Sequence, residues 1–559
     1  VLMKTIKKLQ LAAAVAAGLT LAGCGSDSDS NDTPESPFPR TLSMASNANQ
    51  SVVDLTSIAD QTCFDAGECS ASGYTFPANA IKVPGEDGDD ITTALLAVIN
   101  DAGTDEVIIL PKGTFKVNKS VAISSSQNGL TLVGHGIDQT KLDFIDSPND
   151  DGIKVNTVNN IVLRDFSVYE AAKNGIKVDQ SNGVHFNYVS TIWENTLTLN
   201  AEEEGYNGIY GIYPVGSQNV LVENSYSKGS SDAGIYVGQT SNIVVRHNVA
   251  EHNVAGIEIE NSSNADVYEN IAFDNTAGLL VFDLDGLDKA SGSNIRIFNN
   301  QSFSNNLVNA GSGFVGKVPK GTGALVLASD GVEFYNNQFT DNDGEAISLS
   351  SYFLIDDDLA NYGTKYEATL LAGWTPIINN IYIHDNAYKN NGTNPDINPE
   401  TSLFAEVAQG YKFGVNYTGT PVDHPAVIYD GIGELLANAG ELAAIGITAA
   451  NFGNTICLEN SVDQNDNGAT LNVGAIFGVN PMETHPLDET NLINWVQDDE
   501  TGAPVSPDPT LRVEPIGSNE LLSCDTSPAR LNASVVTING VTYGCGTGGD
   551  DAGTASCNL

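Results

Sequence analysis

One short phrase, Gly-Ile-x-Val or a close variant of it, recurs six times in the middle of the chain. Successive copies are 23, 36, 23, 22 and 22 residues apart, beginning at Gly152, Gly175, Gly211, Gly234, Gly256 and Gly278. Fourteen residues after the glycines at 234, 256 and 323 stand Asn248, Asn270 and Asn337. Such a short repeat predicts a solenoid, because one unit can bury its apolar side chains only against its neighbours.

The repeat length selects the kind of solenoid. Leucine-rich repeats need their own leucine pattern, and propeller blades are about forty residues long. A coil that gives one strand to each of three parallel sheets fits 22 residues, with like residues stacked in ladders. The asparagine at the fixed position of each coil then forms hydrogen bonds with backbone groups of the turn that would otherwise be buried without a partner. We predict one buried column containing Ile153, Ile176, Ile212, Ile235 and Ile257.

The residues before the repeats are typical of the start of such a solenoid. Residues 87–100 resemble the capping helix that opens many pectate-lyase-like β-helices, with Asp89 or Asp90 as its N-cap, and residues 107–115 resemble their first coil. The fold class implied is all-β: a single-stranded right-handed parallel β-helix with an N-terminal capping helix and a disulfide-bearing irregular C-terminal region.

The domain boundaries follow from this pattern. The N-terminal segment with its capping helix is predicted over 51–106, the β-helix over 107–460 and the irregular region over 461–559. The repeats resemble the tandem β-helix-repeat lipoproteins of Gram-negative bacteria, which are related to carbohydrate-binding and sugar-hydrolase repeat modules. That resemblance implies no settled activity, but it implies an exported c-type cytochrome as a partner.

The N-terminus is typical of an exported lipoprotein. Lysines precede an apolar stretch, Leu9 to Leu21, that is too short to span a bilayer and resembles a signal-peptide core. It ends in Leu-Ala-Gly-Cys24, which resembles the lipobox of bacterial lipoproteins, where the cysteine is acylated. The resemblance implies a signal peptide over 1–23, a lipidated Cys24 with a flexible tether over 24–50, and an outer-membrane lipoprotein facing the periplasm or the exterior.

Six cysteines remain besides Cys24, an even number that predicts disulfides in an oxidising compartment. Sequence alone leaves fifteen pairings open. Proximity along the chain favours Cys63 with Cys69, Cys457 with Cys524, and Cys545 with Cys557.

Charge excludes one class of partner. The chain carries 24 Lys and Arg against 70 Asp and Glu, a formal net charge of −46. Nucleic-acid binding requires clustered cations along the phosphate backbone, so that function is excluded.

The alternate residues of each repeat strand point outward and form two columns on one sheet. Insertions at 193–207 and 305–322 precede this strand, and insertions at 283–293 and 352–378 follow it. Two walls beside a sheet carrying Tyr213, Tyr236 and Phe282 predict a groove that binds sugar rings. Outward tyrosines are also common simply as good β-formers, and this alternative stays open.

Candidate catalytic residues lie around this predicted groove. Lys177 and His252 could take a ring proton, as lyases and epimerases require, with Lys173 and Lys228 binding the substrate. Glu258 and Glu260, two apart on one strand, would be about 7 Å apart, which suits an inverting glycosidase. A solvated acidic face is the alternative.

Two segments predict calcium. Residues 463–468 match the first half of a calcium-binding loop, although position twelve is a glycine where a glutamate belongs. Residues 283–288 gather three carboxylates in one loop. The predicted ligands are Asp283, Asp285, Asp288, Asp463, Asn465 and Asn467, and solvated polar turns are the alternative.

Three functions are therefore compared. The first is a lipid-anchored β-helix that binds polysaccharide in the groove. The second is an enzyme, either a polysaccharide lyase or epimerase or a glycosidase, using the same groove. The third is an envelope scaffold for an exported redox partner, the c-type cytochrome.

Overall fold

The computed structural model describes residues 55–557 except 149, 196–206, 357–360, 399–400, 406–407, 409–423, 441, 449–450, 452–455, 460–461, 464–472, 476–514 and 517–527. The predicted signal peptide, Cys24, the tether, Asn465, Asn467 and Cys524 lie outside these described residues.

Helices are few. The α-helices are α1 Gln61–Asp65, α2 Thr92–Asp101, α3 Tyr362–Lys365, α4 Glu367–Leu371 and α5 Ile432–Ala439, with 3-10 turns at Ser125–Gln127, Val315–Lys317, Tyr352–Leu354 and Ala443–Ile445. Within the described residues, no helix is long and apolar enough to cross a membrane.

Strands form nearly all the regular structure. In chain order they are β1 Ile81–Lys82, β2 Val107–Ile109, β3 Gly113–Lys116, β4 Val121–Ile123, β5 Thr131–Val133, β6 Thr140–Asp143, β7 Ile153–Asn156, β8 Asn159–Tyr169, β9 Ile176–Asp179, β10 Asn182–Ile192, β11 Ile212–Val215, β12 Gln218–Glu223, β13 Tyr226–Lys228, β14 Ala233–Gly238, β15 Ser241–Arg246, β16 Val249–Glu251, β17 Ala255–Glu260, β18 Ser263–Tyr268, β19 Ile271–Phe273, β20 Ala277–Phe282, β21 Ser293–Phe298, β22 Gln301–Phe303, β23 Thr322–Leu327, β24 Asp330–Tyr335, β25 Gln338–Thr340, β26 Ile347–Ser350, β27 Asn379–His384, β28 Ala387–Lys389, β29 Val427–Tyr429, β30 Ile456–Glu459, β31 Val462–Asp463, β32 Val473–Ala475, β33 Pro515–Ile516, β34 Val536–Ile538 and β35 Val541–Tyr543.

These strands make the three sides of a parallel β-helix. Sheet 1 runs from β4 through β7, β9, β11, β14, β17, β20, β23, β26 and β29 to β32. Sheet 2 contains β12, β15, β18, β21, β24, β27 and β30, and sheet 3 contains β13, β16, β19, β22, β25, β28 and β31. The long strands β8 and β10 run along both of these sheets and join them.

The predicted isoleucine column is confirmed. Ile153 pairs with Ile176, then Ile212, Ile235 and Ile257 follow in register on sheet 1, and all five are at most 1% exposed. Because the side chains of a strand alternate between its two faces, this register fixes which residues of sheet 1 face outward.

Asparagine ladders hold the corners between the strands. The predicted column runs in the structure from Asn248 through Asn270, Asn300 and Asn337 to Asn386, with each side-chain oxygen accepting from the previous asparagine. A second ladder, which the sequence analysis did not predict, follows Asn253, Asn275, Asn305, Asn342 and Asn391. Both ladders are buried except at Asn391, which is partly buried, and their side chains donate to carbonyls of the neighbouring coils.

Helix α2 covers the N-terminal end of the solenoid. Leu95 and Ile99 are fully or almost fully buried against the first coils. Its N-cap residue is Ile91 rather than an aspartate, but Asp90 accepts a hydrogen bond from the Thr92 amide at 2.9 Å. A hydrogen bond from the Thr92 side chain, and after it this amide bond, lower the pKa of Asp90.

The insertions lie where the sequence predicted, between sheet 3 and sheet 1 or between sheet 1 and sheet 2. Two further long connections, 390–426 and 430–455, flank β29. The strands of the solenoid continue through β31 and β32, so the predicted end at residue 460 falls short of its last described coil.

The C-terminal residues 528–557, which we call the cover, pack on the outer face of sheet 2 of the β-helix. Strands β34 and β35 form an antiparallel hairpin there. The predicted disulfides Cys63–Cys69 and Cys545–Cys557 are present, and the second closes a loop within the cover. Cys457 is also disulfide-bonded.

Candidate functional site

The outward face of sheet 1 carries the two predicted columns. Register places Lys177, Tyr213, Tyr236, Glu258 and Leu280 next to one another on successive strands. A second column contains Asp179, Val215, Gly238, Glu260 and Phe282. The face is polar and aromatic from β9 to β17 and apolar on β20 and β23, where Leu280, Phe282, Leu325 and Leu327 face outward.

The apolar half is closed by the insertions. Phe282 is only 1% exposed and packs edge-on against Phe314 of the insertion before β23, with ring centroids 5.2 Å apart. Trp374, from the insertion after β26, is 2% exposed and donates from its indole nitrogen to the Asp283 carbonyl. The prediction that Phe282 offers a platform to a ligand is therefore wrong in this structure, because two inserted loops cover it.

Three tyrosines gather where the face becomes open. Tyr210, Tyr213 and Tyr236 have ring centroids 4.5 to 5.0 Å apart. Tyr236 lies beneath the others at 4% exposure, while Tyr210 and Tyr213 are half-buried. The Tyr236 ring lies over Gly238, where an added Cβ would be 2.3 Å from the ring. Tyr236 is thus a support for the cluster, and the predicted exposed platform is reduced to Tyr213 and its neighbour Tyr210.

Carboxyl groups form the inner end of this open region. The Tyr236 hydroxyl donates to Glu260, and Tyr210 hydrogen-bonds to Asp232. Glu258 is 4% exposed and its Oε2 has no hydrogen-bond partner.

Burial sets the protonation of these acids. It raises the pKa of Asp232 to about 7 and that of Glu260 to about 8, the second with a contribution from the charge of Asp232. Burial and the same neighbouring charge raise the pKa of Glu258 well above its ordinary value. Carboxyls of this kind keep a proton near neutral pH and can donate it.

The predicted lysines occupy different places. The Lys177 amine is 5.1 Å from the centroid of the Tyr213 ring and 4.0 Å from Asp179, on the open face. Lys173 is exposed in the turn that precedes β9. Lys228 lies on sheet 3, where its amine is 3.8 Å from Glu251, so its predicted role on the sheet 1 groove is wrong.

His252 lies at the corner between β16 and β17, as the sequence indicated. Its backbone is left-handed, with φ of 57°, and its amide donates to the Asp274 carbonyl. Its Nδ1 is buried without a hydrogen-bond partner. No contact links it to the tyrosine cluster or the carboxyls in the described residues.

The loop carboxylates predicted to bind calcium have other partners. Both oxygens of Asp283 accept from the Gly292 amide, and Asp285 accepts from the Tyr352 hydroxyl. Within the part of the chain that the structure describes, no group of three or more His, Cys, Asp or Glu side chains could hold a metal ion, Asp288 included. Asp463 lies in β31 beside Tyr388.

Sequence reasoning missed two residues of this region, Tyr210 and Asp232. Tyr210 stands two residues before β11 and Asp232 directly before β14, both outside the Gly-Ile-x-Val phrase that defines the columns. A search for polar side chains at that turn position would have found them.

The strand register defines a parallel β-helix protein. A family model described as the right handed beta helix region matches residues 145–313, which confirms the predicted right-handed parallel β-helix. No curated protein sequence matches the chain.

Solved structures with similarity to this chain include three kinds of protein. The A-module of a mannuronan C-5 epimerase from Azotobacter vinelandii is 14% identical, with a TM-score of 0.39 over 69% of this chain and 95% of that one. The catalytic unit of an α-1,3-glucanase from Streptomyces thermodiastaticus is 14% identical, with a TM-score of 0.36 over 64% of this chain and 51% of that one. PfbA, a surface adhesin of Streptococcus pneumoniae, is 12% identical, with a TM-score of 0.34 over 56% and 86%.

Proposed function

We propose that the protein binds a polysaccharide on the open part of sheet 1. The observation that supports this is the pair of half-buried rings, Tyr210 and Tyr213, held by the buried Tyr236 and flanked by Lys177 and Asp179. Rigid aromatic rings offer an apolar face to the C–H side of a sugar, and the charged groups beside them bind hydroxyls.

The charge of this region selects the class of polysaccharide. Asp179 offsets Lys177 on the open face, the buried acids at its inner end keep their protons near neutral pH, and the whole chain has a formal net charge of −46. The net negative charge of the chain would repel a polyuronate. We therefore expect a neutral glycan to bind better than an acidic one.

A glycan array with the full chain tests this proposal. Wild-type protein is compared with Tyr213→Ala and with Phe303→Ala, which removes a half-buried ring from sheet 3 as a matched control. We expect Tyr213→Ala alone to lose binding. Equal binding by all three proteins, or binding by none, contradicts the proposal.

Glycoside hydrolysis is the second candidate, favoured by one observation: the unpartnered, buried Oε2 of Glu258. Glu258 and Glu260 are two residues apart on β17 and therefore share its outward face. Their spacing of about 7 Å suits the two carboxyls of an inverting glycosidase. Product analysis on each glycan that binds separates the two candidates. Glu258→Gln should abolish product while binding persists, and binding without product leaves the first proposal alone.

We also propose, from the sequence, that the chain is exported and anchored by acylated Cys24 at the outer membrane. The N-terminal residues that support this lie outside the described part. A cytochrome partner remains a proposal that rests on the family resemblance alone.

A further inference from the structure

The outer face of sheet 2 is built unlike an ordinary solvent-exposed sheet. Tyr268, Phe298, Tyr335 and His384 stack on successive coils, with ring centroids 4.7 to 5.3 Å apart and planes within 8° of parallel. Three of the chain's six arginines, Arg164, Arg246 and Arg296, also project from this side of the solenoid. Tyr268, Phe298 and Tyr335 are at most 1% exposed because the cover lies over them.

The cover contacts this face through charged anchors at both ends. The guanidinium of Arg246 binds Glu223 of the helix and receives two more carboxylates from the cover, Asp550 at 2.8 and 3.0 Å and Asp551 at 2.6 Å. At the other end Arg530 of the cover binds Glu333 and lies 4.1 Å from the Tyr335 ring centroid.

The face also binds the cover's main chain. The Asn294 side chain donates to the Asn532 carbonyl and accepts from the Asn532 amide, both at 3.0 Å, so it binds both backbone polar groups of one residue of the cover. Amides of the cover donate to Glu333, Asp266 and Asn160. A surface that pairs with peptide groups in this way is a peptide-binding surface.

The cover is attached to the helix in a manner that permits exchange. Among the described residues, no backbone–backbone hydrogen bond joins it to the solenoid, and its hairpin strands pair only with each other. The Cys545–Cys557 disulfide closes its acidic loop independently of the helix. Residues 517–527, which separate it from β33, could span up to about 40 Å if extended.

We propose that sheet 2 is a peptide-binding face that accepts the cover either from its own chain or from a second copy of this protein. The partner is a second copy because the cover supplies every group that this face binds: Arg530, the backbone groups of Asn532, and the acidic pair Asp550 and Asp551. Exchange of an identical segment between protomers is a low-cost route to dimers. The inference is independent of the polysaccharide proposal.

A labelled synthetic peptide of residues 528–559, closed by the same disulfide, is the probe. It is titrated into full-length wild-type protein, into Asp550→Asn/Asp551→Asn, whose own cover is weakened, and into Asp143→Asn/Asp146→Asn. The last variant changes the net charge equally, at residues away from this face. We expect at least about tenfold tighter binding to the first variant than to either other protein. A peptide carrying Asp550→Asn/Asp551→Asn should lose about as much.

Hydrogen exchange at the Ser534 and Leu531 amides, which donate to Asp266 and Glu333 of the solenoid, reports whether the cover opens. If these amides exchange faster in Asp550→Asn/Asp551→Asn and the peptide still binds no better than to the charge control, the face does not accept a second cover and the proposal is overturned. Unchanged exchange with unchanged binding overturns it too, because the cover is then a fixed part of the fold. For whole copies, differently tagged wild-type pools should co-purify after incubation at high concentration, and failure to do so excludes exchange between chains.

Discussion

At the scale of single residues, we expect Tyr213 to contribute mainly to glycan binding and Tyr236 mainly to the stability of the fold. Tyr213 is half-buried on the open face, whereas Tyr236 is 4% exposed beneath it. We expect Tyr213→Ala to weaken glycan binding by about 1–3 kcal/mol with little change in melting temperature. Tyr236→Ala should instead lower the free energy of unfolding by about 3 kcal/mol, because it leaves a cavity. Calorimetry and binding titrations on both variants check this, and equal effects on stability contradict the assignment.

A second prediction at the residue scale concerns Glu260 and the dependence of the protein's stability on pH. Its pKa of about 8 in the folded protein lies above its ordinary value of 4.5. The folded state therefore keeps a proton that the unfolded chain releases, and stability falls as pH rises through this window. Glu260→Gln should be more stable than wild type at pH 8 by at least about 1.4 kcal/mol, the equivalent of one pKa unit.

At pH 5 the same substitution should change little, since glutamate is then protonated in the folded state. Unfolding curves at the two pH values check both statements. A constant difference between Glu260→Gln and wild type across the window would show that Glu260 is not protonated in the native state.

At the scale of elements, the asparagine ladders join coil to coil more specifically than apolar packing does. Asn270 accepts from the Asn248 amide and donates to the Val245 carbonyl and to Asn300. Asn270→Ala leaves buried groups unpaired at about 1–3 kcal/mol each, so we expect a large fall in the free energy of unfolding. Denaturant unfolding measures it.

The control for this prediction is Asn264→Gly. Asn264 belongs to an exposed asparagine row and has a left-handed φ of 58°, which glycine adopts freely. We expect this substitution to change the free energy of unfolding by less than about 1 kcal/mol. Similar losses at both positions would mean that burial of the ladder contributes nothing.

At the scale of the whole molecule, the location of the protein depends on one residue near its start. We expect Cys24→Ser to leave an unacylated protein that no longer sediments with membranes, because the tether over 24–50 offers no other apolar anchor. Fractionation of cells producing each protein measures this. Unchanged sedimentation would show that the anchor lies elsewhere.

The repeat pattern predicted much of the solenoid because its information is local. A 22-residue period with alternating apolar residues fixes the strands, their faces and the column from Ile153 to Ile257. The second ladder was also readable, since Asn253 and Asn275 stand five residues after Asn248 and Asn270. It was missed because only one fixed asparagine per coil was sought.

The sequence by itself thus determined the class of fold and the outward columns of sheet 1, and it favoured, without fixing, the pairings Cys63–Cys69 and Cys545–Cys557. Only the tertiary structure decided which of these outward residues remain exposed and can contact a ligand. Phe282 packs against Phe314 in a buried cluster that also contains Trp374, and Arg246 binds Asp550, which lies more than 300 residues away in the chain. Contacts of this kind leave no periodic trace, because loops and chain ends find their place through packing and charge rather than through the ladder of repeats.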